Sequence, residues 1–457
     1  MINLAVKYNR LIGVLCILLA AFGLLNPAFY NGYPMVYSDT GAYIASGFEG
    51  TVPGDRPITY GLFLRHSSLA ASLWFTVISQ ALLLSALLYY FIGKVWSEPK
   101  ARLRAFLGST VLLILGSGIS YFASLLMADI FTPVSFLILF ILIFDAPKNK
   151  VYFGLLSLVY LFVTSTHLTH APAHLAMLLA LALLKLFPLR FLELLTWRKW
   201  AIGLALVMLN FLFLPAVHYY YNGGFVSSKN GHIFFTARMV ENGALKALLA
   251  DECDHENYAL CAYKDSLPIY GSDFLWQPSS VLYKLGGWGE HAAEYKHLNK
   301  QIFTHVKYLQ IYLRHFYGVA LFHLSEHNVG EELIPMGLNT PPGWEIDNHF
   351  KEELPRFLAA KQANDYWPSK IAAINNWVYF VFILSLLVVL LELVFSKSNL
   401  YLKLLICCSL LFYLGNFFVV CIASSASRYN SRLDWLIVFL AIVVVMDRLG
   451  NLKRLGN

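Results

Sequence analysis

Charge is what this sequence has least of: Asp, Glu, Lys and Arg make up 13% of its 457 residues, against 58% hydrophobic residues. A soluble domain carries roughly 25% charged residues, and a mean hydropathy of +0.59 excludes that class here. There is no Gly-rich phosphate loop, which argues against a cytoplasmic nucleotide as substrate. No internal repeat recurs, as the repeated halves of many secondary transporters would require, and no low-complexity tract breaks the chain. No small-x-small cleavage site follows the apolar run from Leu11 to Leu25; Asn26-Pro27-Ala28-Phe29 is a poor substitute. That run, behind Lys7 and Arg10, therefore reads as a retained first helix.

The pattern that remains is an all-α polytopic membrane protein with about ten transmembrane helices. Apolar stretches lie near 11–28, 69–92, 105–121, 130–145, 151–166, 174–187, 200–219, 371–394, 401–420 and 433–447. With the N-terminus inside, every inward turn is basic. They carry in order Lys94, Lys100, Arg102 and Arg104; Lys148 and Lys150; Arg190, Arg198 and Lys199; Lys397 and Lys403; and Arg448, Lys453 and Arg454. The net charge of +7 is thus membrane anchoring spread over short clusters, and no nucleic acid partner is expected.

Three parts follow: a transmembrane core at 1–219 with a first outer loop at 29–68, a mainly helical extracytoplasmic domain at 220–370, and C-terminal transmembrane helices at 371–457. The outer domain begins at the turn Asn222-Gly223-Gly224. Glu241 to Glu252 reads as a short helix, and Ile302, Val306, Leu309, Leu313 and Phe316 fall on one face of a longer one. That face fits either the membrane surface or the interior of the domain. Cys16, Cys407, Cys408 and Cys421 lie in or beside apolar helices as small hydrophobes. Cys253 and Cys261 lie in the outer segment, where a disulfide is expected and two free thiols are the alternative.

Ionised groups kept at one face of an apolar protein are functional candidates. Asp39 follows the first helix in Tyr37-Ser38-Asp39-Thr40-Gly41-Ala42-Tyr43, and Asp55-Arg56 precedes Tyr60 in the same loop. A carboxylate there can accept a proton or bind a cation, or simply cap a helix. Asp55 and Arg56 suit each other as a surface pair. Asp129 stands between two apolar helices with few charged neighbours, as a functional acid or a cap of the helix near Thr132. His167, His170 and His174 recur at helical spacing but are interrupted by Pro172, which suits cavity lining better than a metal. Arg428 and Arg432, among Ser424, Ser425, Ser427, Tyr429, Asn430 and Ser431, suit a lipid phosphate, with headgroup snorkelling as the alternative.

In this arrangement the chain resembles the GT-C superfamily of membrane glycosyltransferases. The resemblance covers residues 1 to about 220 and rests on Asp39, soon after the first helix, and Asp129, in the next outer loop. It implies a polyprenyl-phosphate-linked sugar as donor, membrane lipids as surroundings, and location in a membrane of the bacterial inner type. Asp39 and Asp129 would then be catalytic. Arg56, Arg428 and Arg432 would hold donor phosphate, and Tyr43, Tyr60, His167, His170 and Tyr429 would line the substrate cavity. The first loop lacks an Asp-x-Asp, and Glu345-Ile346-Asp347 lies far along the chain, so no metal is assigned and a divalent cation stays open. The competing readings are a transporter or flippase, a transferase using His167 or His170 as base, and a non-catalytic envelope assembly protein.

The alternating basic turns predict both termini on one side and 220–370 on the other. Cysteine accessibility at Lys150 and Asn257 should report opposite sides; the same side for both contradicts the topology.

Overall fold

The computed structural model describes residues 2–331, 333–396, 399–423, 426 and 428–455. In chain order the longer helices are α1 (Ile2–Leu24), α2 (Ser38–Glu49), α3 (Thr59–Ser67), α4 (Leu73–Val95), α5 (Pro99–Gly116), α6 (Phe131–Phe144), α7 (Lys150–Thr164), α8 (His170–Leu184) and α9 (Trp197–Tyr220). They continue as α10 (Gly231–Glu241), α11 (Ala244–Glu252), α12 (Ala292–Thr304), α13 (Val306–Ser325), α14 (Pro341–His349), α15 (Ala372–Phe395), α16 (Leu400–Ala423) and α17 (Arg428–Leu455). Among the described residues there is no strand, and Met35 forms an isolated bridge to Leu125.

The apolar stretches are mainly helical, and among the described residues four helices, α4, α9, α15 and α16, are long and apolar enough to cross a membrane. The expected count of ten goes beyond these four. Helices α6, α7 and α8 have 14, 15 and 15 residues, short of the roughly 20 a span needs. Charge dilutes α5 through Lys100, Arg102 and Arg104, and α17 through Arg428, Arg432 and Asp434. At one end of the bundle Lys94 sits 3.0 Å from Asp145, which also accepts the Tyr401 hydroxyl at 2.5 Å. That contact joins the last turns of α4 and α6 to the start of α16.

The long polar segment contains two structures. Residues from Ile233 to Tyr312 enclose a core of their own, whereas Val329 to Ile371 join the main core of the helical bundle. The second part braces the segment between α1 and α4. Glu353 accepts from the Tyr33 hydroxyl at 2.7 Å and the Leu73 amide at 3.2 Å. Gln362 pairs with both backbone groups of Val36, at 3.1 and 2.6 Å. These bonds supply partners that a buried loop backbone would otherwise lack.

The expected stripe from Ile302 to Phe316 is not one helix face. The chain is extended at His305 (ψ 123°), so α12 and α13 point differently. Ile302 enters the second core, Phe316 packs on the end of α16, and Val306 and Leu313 stay exposed. Glu241 to Glu252 divides at Gly243 into the end of α10 and α11.

Cys253 and Cys261 form a disulfide, closing a short loop between α11 and the turn Ala259–Tyr263. The other cysteines are unpaired, with Cys407, Cys408 and Cys421 buried. Closing a loop of this length stabilises by roughly 2–3 kcal/mol. Cys253→Ser with Cys261→Ser should lower the unfolding free energy of the unit from Ile233 to Tyr312 by about that amount, read by denaturant-dependent proteolysis. An unchanged midpoint would contradict it.

Candidate functional site

Three segments converge on the site: the loop between α1 and α4, the turn before α6, and the first turns of α17. The backbone sets the first two together. Met35 donates to the Ser124 carbonyl at 2.9 Å and accepts from the Leu126 amide at 3.0 Å, while Thr40 Oγ1 donates to the Leu126 carbonyl at 3.1 Å. Helices α2 and α3 cross where both contribute glycine. A Cβ on Gly47 would collide with the Gly61 carbonyl, so larger residues would push Asp39 and Arg56 apart. A Cβ on Gly41 would likewise lie 2.5 Å from the Pro341 backbone, which lets α14 seat against α2.

Asp39 occupies the first turn of α2, where a carboxylate complements the helix dipole. It does not cap the helix: Tyr37 is the cap residue, and its amide donates to Thr40 Oγ1 at 3.0 Å. The Asp39 carboxylate instead holds two guanidinium groups, Arg56 at 2.9 Å and Arg428 at 3.3 Å. Burial pushes this carboxyl up, but Arg56 and Arg428 outweigh burial and hold it below its ordinary range. Its ion pairs therefore persist through neutral pH and fade only below the usual carboxylate titration. The expected Asp55–Arg56 pair also forms, at 2.9 Å through Nε. Arg56 thus serves both acids.

Asp129 is more deeply placed, at 2% exposure in the short turn Ala128–Ile130. It caps nothing; Ile130 precedes α6 without a side-chain cap. Its carboxylate accepts from Arg432 at 2.8 Å, and the same guanidinium donates to Thr169 Oγ1 at 2.9 Å and Asn416 Oδ1 at 3.1 Å. Arg428 and Arg432 both belong to α17 rather than to the loop before it. Ser424, Ser425 and Ser427 lie outside the described residues.

Tyr429 lies between the two arginines. Arg428 and Arg432 stand 5.0 and 4.9 Å from its ring centroid, and Arg428 also covers Tyr37 at 4.9 Å. His167 meets Tyr429 with ring centroids 5.4 Å apart. Arg56 covers Tyr43 at 5.3 Å, and Tyr43 meets Tyr60 edge-on at 4.6 Å. Tyr60 and His170 are fully buried, with Tyr60 donating to Gln80 at 2.7 Å and His170 Nε2 2.7 Å from the Thr132 hydroxyl. They form the wall behind the charged groups rather than an open lining.

Burial, with Arg432, Arg428 and Arg56 nearby, drives the His167 imidazole well below its ordinary value, so it is neutral. The Thr169 amide donates to His167 Nδ1 at 3.2 Å, which leaves the ring proton on Nε2. Neither nitrogen keeps a free lone pair, so His167 is a donor here rather than a base. His174 Nε2 faces Ser135 at 3.5 Å while His170 faces Thr132, so the three histidines do not converge on one point. Pro172 does not interrupt α8; it sits in its first turn, where a missing amide hydrogen costs nothing.

The donor set does not fit a divalent cation between Asp39 and Asp129, because each carboxylate already holds arginine. Glu49, Glu345 and His349 could share an ion elsewhere, but Glu49 closes the other end of α2 from Asp39. The sequence did not single out Thr169, Asn416 or Gln80, which position Arg432 and Tyr60. Asn416 and Gln80 carried a usable signal, since an amide inside an apolar helix needs a partner.

Burial separates the two acids energetically. Asp129→Asn should destabilise the protein by about 3–5 kcal/mol, because it strands a fully buried guanidinium. Asp39→Asn should cost less, because the site is 23% exposed and Arg56 keeps Asp55 as a partner. Thermal unfolding of both variants checks the order, and equal losses would contradict it. No family model, curated protein or solved structure matches this chain, so the chemistry of the site rests on its own geometry.

Proposed function

We propose that the protein is a membrane glycosyltransferase of the GT-C kind, moving a sugar from a polyprenyl-phosphate-linked donor to an acceptor at the outer face. The observation that carries this reading is the meeting of Arg56, Arg428 and Arg432 with Asp39 and Asp129 at one end of an apolar bundle. The same reading takes α1, α5, α6, α7, α8 and α17 as further spans beside α4, α9, α15 and α16, with the 220–370 segment outside.

The reaction needs an anion site and a base within reach of one another. Asp39, as paired in this structure, is a poor base, because two guanidinium groups stabilise its charge. A donor phosphate is a stronger competitor for those groups, since guanidinium binds phosphate through paired hydrogen bonds. Transfer of Arg428 to phosphate would release one pairing and raise the proton affinity of Asp39. Asp39 then takes the acceptor hydroxyl proton, and the oxygen attacks the anomeric carbon. The sugar–phosphate bond breaks, its electron pair leaving with the phosphate against Arg428 and Arg56. Arg432, tied to Asp129, Thr169 and Asn416, holds the far side of the site fixed.

A transferase with a histidine base is disfavoured by the filled nitrogens of His167 and the burial of His170. Asp39→Asn in purified protein should lower sugar transfer by roughly two to four orders of magnitude while donor still binds. Arg428→Ala should weaken donor binding roughly 10- to 100-fold, the worth of a charge-assisted hydrogen bond. A folded Asp39→Asn protein with full activity would leave Asp39 as an ion-pair anchor only and end the general-base assignment.

A further inference from the structure

Helix α14 packs along α2 in parallel. Gly41 meets Pro341 where both helices begin, and Phe48 meets His349 where both end, with ring centroids 4.6 Å apart. Two helix C-termini thus come together, and each presents carbonyl oxygens and the negative end of its dipole. A cation is favoured at such a place, yet the last turn of α2 holds no basic residue and that of α14 holds His349 alone.

The side chains there add to the negative charge. Glu49 closes α2, while Glu345 and His349 stand one turn apart on the same face of α14. One ligand atom from each of the three lies within 4.8 Å of the others. Among the described residues neither glutamate pairs with Lys or Arg; Arg65 covers the Phe48 ring at 4.7 Å instead. A protonated His349 would balance one carboxylate and leave the other uncompensated. Glu345 Oε2 is enclosed without a hydrogen-bond partner, although His349 Nε2 stands 3.4 Å away. Burial pushes the Glu345 carboxyl up; His349 opposes the rise and Glu49 adds to it.

A divalent cation answers each of these features. It would neutralise both carboxylates, occupy the lone pairs that lack donors, and sit at the negative ends of two helices. Imidazole nitrogen and carboxylate oxygen together are zinc ligands. Two tetrahedral zinc bonds of about 2.0–2.1 Å hold their ligand atoms about 3.3 Å apart, close to the 3.4 Å between Glu345 and His349. Glu49 is exposed, so its side chain is free to swing in. Phe48 packs beside the imidazole and limits its rotation.

We propose that Glu49, Glu345 and His349 bind one zinc ion, with water in the fourth position, and that the ion clamps the end of α14 onto α2. The site stands ten residues along α2 from Asp39, about 15 Å at 1.5 Å per residue. Zinc therefore braces the helix that carries Asp39 and touches none of the arginines around it. The inference stands independently of sugar transfer.

The test uses the full chain without an affinity tag, purified in detergent, stripped with a chelator, exposed to zinc and desalted. Bound metal is counted by mass spectrometry, and thermal unfolding is followed with and without zinc. Wild-type protein should retain one zinc per chain and unfold at a higher temperature with it. Glu345→Gln, which keeps the side-chain shape, and Glu49→Gln, at an exposed position, should each lower zinc affinity roughly 100-fold or more, since losing even an outer partner of a zinc ligand costs 10- to 100-fold. Both should abolish the zinc-dependent shift without lowering the midpoint of the metal-free protein. A wild type that retains no zinc, or variants that retain as much as wild type, would overturn the proposal. A lower metal-free midpoint in both variants would also overturn it, by making the cluster an ordinary ion-paired contact.

Discussion

The carboxylate of Asp39, shared by Arg56 and Arg428, is the joint on which one end of the bundle closes. Arg56 comes from the turn between α2 and α3 and Arg428 from the start of the last helix, 389 positions from Asp39. In a chain this poor in charge, the groups have few other partners, and in a low-dielectric setting an unpaired one is costly. The same economy fixes Arg432 between Asp129, Thr169 and Asn416. Two ion-pair clusters from one turn of α17 therefore bind the N-terminal loops to the C-terminal helices.

Packing makes that joint geometrically exact enough to hold. The Gly47–Gly61 crossing and the Gly41–Pro341 contact bring α2, α3 and α14 to backbone distance, and the Met35–Leu125 bridge places the two acid-bearing turns side by side. Residues 329–371, which belong to the main core, brace the loop from behind through Glu353 and Gln362. The loop that presents Asp39 is thus a packed element with satisfied backbone. That rigidity would suit the proposed exchange, in which the arginines trade one anion for another without the scaffold moving.

Much of this was legible in the sequence because charge is rare there. Asp39, Asp129, Arg56, Arg428 and Arg432 stand out from their apolar surroundings, and the structure brings them into contact. What the sequence did not carry was partner choice: nothing in Asp39 or Asp129 says which arginine each will meet, since that depends on tertiary packing. The cap readings of both acids failed for the same reason, because a guanidinium in reach outcompetes a backbone amide. Span number was blurred by helices of 14 or 15 residues, too short to be read by length alone. The stripe through Ile302 and Phe316 was misread as continuous because helical periodicity survives in sequence across the break at His305. The disulfide was legible from compartment logic and short separation.

The central claim is that a phosphate displaces Asp39 as the partner of Arg428. Cryo-electron microscopy of the protein with a bound polyprenyl-phosphate sugar tests it directly. The account predicts the Arg428 guanidinium on the phosphate oxygens and withdrawn from Asp39, with the freed carboxylate facing the anomeric carbon. A complex in which Arg428 remains on Asp39 while the phosphate binds elsewhere would contradict it.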